Sequence, residues 1–313
     1  MIDHRPLGSS GLATPALILG GNVFGWTADE AASFAILDAF VEGGGVMIDT
    51  ADVYSAWAPG HKGGESETVI GRWLERSGKR ERVQIATKVG MMAGLAPERI
   101  AAACDASLRR LGVETIDLYY AHKDDAGTPL ADTLGAFDAL VRAGKVRALG
   151  ASNYDATRLA EALDVSAANG LVAYSVLQPW YNMVERARFE GPLRDLCVAR
   201  GIGVAPYYSL ANGFLTGKYR SEADLGKSVR GSRNIEYLRT EKGARVLAAL
   251  DGVAAETGAT PAQIALAWTA AQPGITAPIA SATGVAQLEE LLGALRLELS
   301  GEQIAALDAA SAD

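Results

Sequence analysis

Cysteine is scarce in this chain: two in 313 residues, Cys104 and Cys197. Both fall in stretches with amphipathic-helix spacing, so they are expected as buried free thiols and not as a disulfide. Histidine is scarce too. His4, His61 and His122 are the three, and none stands beside a cysteine, so no metal-ligand spacing can be read. No run of about 18 apolar residues occurs, which argues against a membrane span. The N-terminal MIDHRPLG is polar and carries Pro6, unlike a secretory signal. Positive charge is also short: 29 Lys and Arg face 37 Asp and Glu, for a net charge of −8. That disfavours nucleic acid and anionic membrane as partners but leaves room for a local basic pocket. A cytoplasmic location is the resulting expectation. One further absence bears on the fold. The first apolar run leads into Gly20-Gly21-Asn22-Val23-Phe24-Gly25, which lacks the G-x-G-x-x-G spacing of a doubly wound dinucleotide fold.

What is present is a globular balance, 49% hydrophobic and 21% charged, enough to bury a large core. Short apolar runs alternate with helical patterns eight times. The predicted strands are 16–20, 46–49, 83–87, 115–120, 146–150, 172–177, 202–206 and 276–279. Their helices are 29–42, 67–76, 97–111, 130–143, 156–168, 189–200, 240–257 and 285–294. Strands that are apolar throughout suit a parallel sheet buried on both faces. Eight βα repeats favour an α/β fold of the (β/α)8 TIM-barrel type, one domain over residues 1–313, since such barrels run to about 250 residues or more. Two added helices are predicted near the C-terminus. Residues 261–271 start on Pro261. Residues 299–310 carry Ser300 as N-cap with Gln303 at the capping-box position. The polar, glycine-containing stretch 213–239 has the length of a functional loop.

In such a barrel, polar residues at the C-terminal strand ends converge on one mouth. Asp49 ends the second barrel strand and Tyr54 follows it. Lys88 ends the third, and His122 ends the fourth. Singly, each has a plain structural explanation: a cap, a loop aromatic, a solvated strand end, a satisfied core histidine. Together on adjacent strand ends they favour chemistry. A free tyrosine has a pKa of about 10, and a nearby ammonium lowers it. Lys88 can supply that ammonium, with Asp49 as its partner. His122 can orient a substrate oxygen, and Tyr54 can protonate a developing alkoxide.

The segments MIDTADVYS, IATKVG and DLYYAHKDD resemble the aldo-keto reductases, whose Asp, Tyr, Lys and His tetrad occurs in this order. The similarity continues through KVRALGASN, SVLQPWYN, APYYSLANGFLTGKY and PIASATGVAQLEELLGAL, nearly the whole chain. It implies that Asp49, Tyr54, Lys88 and His122 take the four catalytic roles. Further, it implies a nicotinamide site in which Asn153, beside Ser152, and Gln178 hold the carboxamide and Tyr207 stacks on the ring. By the same resemblance Leu210, Gly213 and Lys218 lie along the pyrophosphate. Ser281, Thr283 and Gln287 stand where members bind the adenosine end. The residues alone leave Gln178 open as a backbone-satisfied strand end and Tyr207 open as core.

The chain departs from the family's common pattern at two places. Thr283 stands where many members have Arg, and Leu291, beside Glu290, where many have Asn. NADP(H) is still the expected cofactor, with NAD(H) use more open than in an Arg-bearing member. The implied reaction reduces an aldehyde, ketone or sugar carbonyl, or runs in reverse. Trp26, Trp57 and Trp180 fall in mouth loops, where they can line a substrate pocket or only pack the loops. His61 is expected on the surface, His4 in a hairpin that closes the barrel bottom. Some family members are cytoplasmic subunits of potassium channels, so a redox-sensing binding role is the second reading. The oligomeric state is not legible.

Overall fold

The computed structural model describes residues 2–312. Strands β1 (Arg5–Pro6) and β2 (Ala13–Thr14) make an antiparallel hairpin. Eight strands follow: β3 (Ile18–Gly20), β4 (Met47–Asp49), β5 (Gln84–Val89), β6 (Ile116–Ala121), β7 (Val146–Ser152), β8 (Val176–Gln178), β9 (Gly203–Val204) and β10 (Ile279–Ala280). All pair in parallel, in the order β10-β3-β4-β5-β6-β7-β8-β9. Thr276 N–H donates to Val204 O at 2.8 Å, and Ile279 N–H to Pro206 O at 2.8 Å. These bonds carry the pairing across the last edge, so the sheet closes into a (β/α)8 barrel.

The helices are α1 (Glu30–Glu42), α2 (Glu65–Ser77), α3 (Pro97–Leu111), α4 (Leu130–Arg142), α5 (Ala156–Asn169), α6 (Pro192–Arg200), α7 (Ile235–Leu238), α8 (Glu241–Thr257), α9 (Pro261–Ala271), α10 (Val285–Gly293) and α11 (Gly301–Ser311). Their apolar stripes meet the outward faces of the strands. Leu37, Ile70, Ile100, Leu134 and Leu159 from α1 to α5 share one core with Ile48, Ile85, Tyr119, Leu149 and Leu177. The added helices α9 and α11 both open with a reciprocal cap. Thr260 Oγ1 accepts from Gln263 N–H at 3.3 Å, and Ser300 Oγ accepts from Gln303 N–H at 3.2 Å. Among the described residues no helix is long and apolar enough to cross a membrane.

Several boundaries differ from the sequence expectations. The helix expected over 189–200 begins at Pro192, because Gly191 takes φ +91° and a short turn at Arg186–Arg188 precedes it. The sixth barrel strand is Val176–Gln178 rather than 172–177, and the eighth is Ile279–Ala280 rather than 276–279. The stretch expected as loop over 213–239 begins on the end of a 3-10 segment, Ala211–Thr216, and then holds two 3-10 turns, Glu222–Lys227 and Gly231–Asn234, followed by α7. Cys104 and Cys197 are buried free thiols, both pushed up to about 12 by burial.

A second, smaller core fills the barrel interior. It contains Ile18, Met47, Ala86, Leu118, Tyr120, Ala148, Val176, Ala205 and Ile279. Leu7 and Leu12 from the hairpin join it from below and seal the N-terminal end. Gly150 makes room here, since a Cβ would lie 2.4 Å from the Tyr120 ring. With the lower end plugged, only the C-terminal end of the barrel stays open.

Candidate active site

Side chains alternate along a strand with period two. Each interior apolar residue therefore fixes what comes two positions later on the same face. Met47 is followed by Asp49, Ala86 by Lys88, Tyr120 by His122, Val176 by Gln178, Ala205 by Tyr207 and Ile279 by Ser281. Asp49, His122, Gln178, Tyr207 and Ser281 line a cavity of about 900 Å3 at the open end, near the upper end of the roughly 300–1,000 Å3 range of small-molecule sites. Lys88 sits directly behind it and is fully buried.

Lys88 organises the floor. Its Nζ donates to Asp49 Oδ2 at 2.6 Å, to Thr50 O at 2.7 Å and to Tyr54 Oη at 3.0 Å. Tyr54 Oη lies 3.3 Å from Asp49 Oδ2. Gln178 Nε2 donates to the other carboxylate oxygen, Oδ1, at 2.8 Å. The pair is thus desolvated but fully hydrogen-bonded, which is what a buried ion pair requires. The His122 ring stands 6.0 Å from the Tyr54 ring, nearly edge-on. Its Nδ1 is buried without a partner, leaving Nε2 as the nitrogen that reaches the cavity.

The electrostatics depart from one sequence expectation. From the sequence, the Lys88 ammonium is expected to lower the Tyr54 pKa. Instead burial, reinforced by the facing Asp49 carboxylate, holds the Tyr54 hydroxyl well above 10. Burial also lowers Lys88 from its usual 10.5, against the pull of Asp49. His122 is pushed well below 6.5 by burial and by the nearby Lys88 charge, so its ring is neutral at physiological pH. The floor therefore holds a phenol that keeps its proton, beside a neutral imidazole.

The remaining residues singled out for a cofactor lie around the same mouth. Asn153, Leu210, Gly213, Lys218, Thr283 and Gln287 line the cavity, while Ser152 is buried behind it. Asn153 Nδ2 donates to His122 O at 2.9 Å and to Ser152 Oγ at 3.1 Å, and Tyr207 Oη donates to Asn153 Oδ1 at 2.6 Å. Thr283 sends both its N–H and its Oγ1 to Gln287 Oε1, at 2.9 and 3.2 Å. Trp26, Trp57 and Trp180 also line the cavity. His61, expected on the surface, is half-buried with Nδ1 unpartnered; His4 is exposed.

Sequence reasoning missed other lining residues. Asn22 accepts from Ser281 Oγ at 2.6 Å and joins the first strand loop to the last. Met91, Met92, Lys227, Ser228, Val229 and Arg230 complete the rim. The non-glycine residues with left-handed φ are Ser55, Asn153, Tyr208, Ala211 and Asn212. All belong to loops at this end of the barrel, where backbone strain commonly marks a functional site.

Asp52 was also missed. It lies behind the floor, its N–H donating to Lys88 O at 3.1 Å, and its Oδ1 is buried without a partner. Burial, with the Glu67 charge beside it, pushes its carboxyl up to about 7. The folded chain thus binds a proton there that the unfolded chain releases near pH 4, so stability falls as pH rises from about 4 to 7. Asp52→Asn removes this penalty. We expect it to stabilise the fold at pH 8 by about 4 kcal/mol at most, with the gain fading as pH falls towards 4. Thermal unfolding across that range checks it; a gain independent of pH would contradict the assignment.

The aldo/keto reductase family model matches residues 16–312. An uncharacterized oxidoreductase, YrpG, of Bacillus subtilis (strain 168) is 32% identical, over 96% of this chain and 93% of that protein. The aldo-keto reductase yakc [NADP(+)] of Schizosaccharomyces pombe is 32% identical, over 87% of this chain and 80% of its own. A probable voltage-gated potassium channel subunit beta of Arabidopsis thaliana is 31% identical, over 94% and 91%. With the eight-stranded barrel, a family match over nearly its whole length and relatives of this identity, the chain belongs to the aldo/keto reductase family.

Proposed function

We propose that this chain is a cytoplasmic NADP(H)-dependent oxidoreductase that reduces an aldehyde, ketone or sugar carbonyl to the alcohol, or runs the reverse, with Tyr54 as general acid and base. The observation that carries the reading is the buried Lys88–Asp49–Tyr54 cluster at the floor of an open, aromatic-walled cavity. When bound, the reduced nicotinamide supplies a hydride to the carbonyl carbon. Tyr54 gives its phenolic proton to the oxygen. Lys88, 3.0 Å from Tyr54 Oη, stabilises the phenolate that this leaves. Asp49 keeps Lys88 charged and in place. Neutral His122 donates from Nε2 to the carbonyl oxygen and aims it at Tyr54.

The residues around the mouth suit a dinucleotide. Gln178 presents an amide and Tyr207 a ring, while Gly213 and Lys218 offer close approach and positive charge. Among the described residues Asp49, already paired, is the one carboxylate in the lining, so anionic phosphates meet no uncompensated repulsion. Spectrophotometry with NADPH and a panel of aldehydes, ketones and sugars tests the proposal. Absence of turnover on all of them, in both directions, would remove it.

Thr283 bears on cofactor choice. It offers a hydroxyl where a guanidinium would grip a 2′-phosphate with two charged hydrogen bonds. Thr283→Arg is expected to raise the ratio of kcat/KM for NADPH over NADH by about 10- to 100-fold. An unchanged ratio would place the 2′-phosphate elsewhere.

The similarity to the potassium channel subunit favours a second reading, a nicotinamide-binding regulatory subunit. Tight NADP(H) retention with negligible turnover would favour it over the enzyme.

A further inference from the structure

Behind the floor stands a second group of charges that the proposed reaction does not use directly. Glu67, in the first turn of α2, is 0% exposed. Its Oε1 accepts from Thr87 Oγ1 at 2.5 Å and its Oε2 from Arg110 Nε at 2.7 Å. Thr87 is the residue before Lys88 on β5. Asp52 holds the same strand end by its backbone, its N–H donating to Lys88 O at 3.1 Å. Ser66, beside Glu67, ties α2 to the residue that receives Lys88. Its Oγ lies 2.8 Å from Thr50 Oγ1, and Thr50 O accepts from Lys88 Nζ. Gly71 lets α2 lie close against the end of α3, since a Cβ there would stand 2.1 Å from Arg110 O. Two carboxyl groups are thus built onto the strand end that carries Lys88.

Lys88 needs more than Asp49 to stay charged. The two Asp49 oxygens are shared among Lys88, Tyr54 and Gln178. Toward the cavity Lys88 faces Tyr54, the Tyr120 ring at 5.9 Å and the neutral His122, none of which carries a negative charge at neutral pH. From behind, Asp52 and Glu67 both favour its ammonium against burial. Asp52 in turn faces Glu67 from α2, Arg110 from α3 and Lys88 itself, and Tyr119 and Cys104 stand within reach of the same charges. Burial and Glu67 disfavour its carboxylate, and its Oδ1 has no partner among the described residues. A group that works against the fold beside a reaction site commonly stays there for function.

We propose that Asp52 and Glu67 are positioning residues for the proposed reaction, acting through Lys88: from behind the floor they keep its ammonium charged, so that Tyr54 retains the cation its phenolate needs. The inference rests on the oxidoreductase reading above and adds two residues to it. The sign follows from charge. Asp52 is ionised above about pH 7 and neutral below it. Its support for the ammonium is therefore present in the alkaline range, where Lys88 would otherwise lose its proton.

Carbon-13-labelled lysine tests this without turnover. The Lys88 Cε resonance, assigned by its loss in Lys88→Met, is followed from about pH 6 to 11. In protein of effective dielectric constant about 20, removing one charge roughly 10 Å away moves a midpoint by about one pH unit. Asp52→Asn and Glu67→Gln should each lower the Lys88 midpoint by about that much, and Asp52→Glu should recover most of the shift. Glu67→Gln keeps an acceptor for Thr87 but leaves Arg110 without its carboxylate. Asp52→Asn, which relieves the fold of a disfavoured charge, carries the test if Glu67→Gln does not fold. In aldehyde reduction, the ratio of kcat/KM for wild type over Asp52→Asn should grow by about 3- to 10-fold from pH 6 to the alkaline limb. An unmoved Lys88 midpoint in Asp52→Asn overturns the inference. So does a loss of kcat/KM by one factor at every pH, which is what a merely structural role would give. If wild type turns over no aldehyde in either direction, the oxidoreductase reading fails, and the Lys88 midpoints still decide whether the two carboxyl groups hold its charge.

Discussion

Tyr54→Phe should lower kcat for aldehyde reduction by roughly 10²- to 10⁴-fold, the span that a positioned general acid contributes. The change removes one oxygen and leaves the ring against Trp57 and His122. The cavity shape and the affinity for NADPH should therefore persist. Lys88 keeps Asp49 and Thr50 O as partners, so the fold should hold. Because burial keeps the Tyr54 hydroxyl well above 10, the acid form is fully loaded in wild type at neutral pH. Reduction should accordingly show no loss attributable to Tyr54 between pH 6 and 8. Steady-state kinetics with NADPH titration on both proteins checks this. A variant with wild-type kcat would remove Tyr54 from the chemistry.

Lys88→Met has the largest structural consequence. It strips Asp49, itself 2% exposed, of its 2.6 Å partner and leaves a carboxylate with only Gln178 and Tyr54 as donors. An uncompensated buried charge of this kind costs about 3–5 kcal/mol, which for a chain of this size lowers Tm by roughly 5–10 °C. Adding Asp49→Asn removes the orphaned charge. The double variant should recover most of the lost stability and none of the activity. Calorimetry and turnover on the two variants separate these effects. A Lys88→Met protein melting within a degree of wild type would mean that the ion pair does not hold the floor.

The legibility of the site follows from strand periodicity. Asp49, Lys88, His122 and Gln178 each end an apolar run, and in a barrel that position faces the mouth. Tyr54 has no such warrant. It lies in a loop, and resemblance of its surrounding segment picked it out. Arg230 was hidden for the same reason: it belongs to a stretch without periodicity, and only the clamp of Arg220 on Asp251 and the passage of Gly231 past Leu225 aim it inward. Asp52 reads as an ordinary loop carboxylate until Glu67 from α2 is seen packed beside it. The helix start moved to Pro192 because a left-handed Gly191 interrupts a run that hydrophobic spacing alone would continue.

By itself the sequence determined which side chains share the barrel's inner face, because alternation is local and the interior positions from Met47 to Ile279 are apolar. It determined the family too, through ordered motifs. Only the tertiary structure decided the electrostatics. The sequence placed an ammonium near Tyr54 and expected a lowered pKa. The fold sets that hydroxyl into the cavity floor with Asp49 opposite it, so the shift runs upward. Desolvation depends on how completely distant segments fill the space around a group, and no spacing along the chain encodes that.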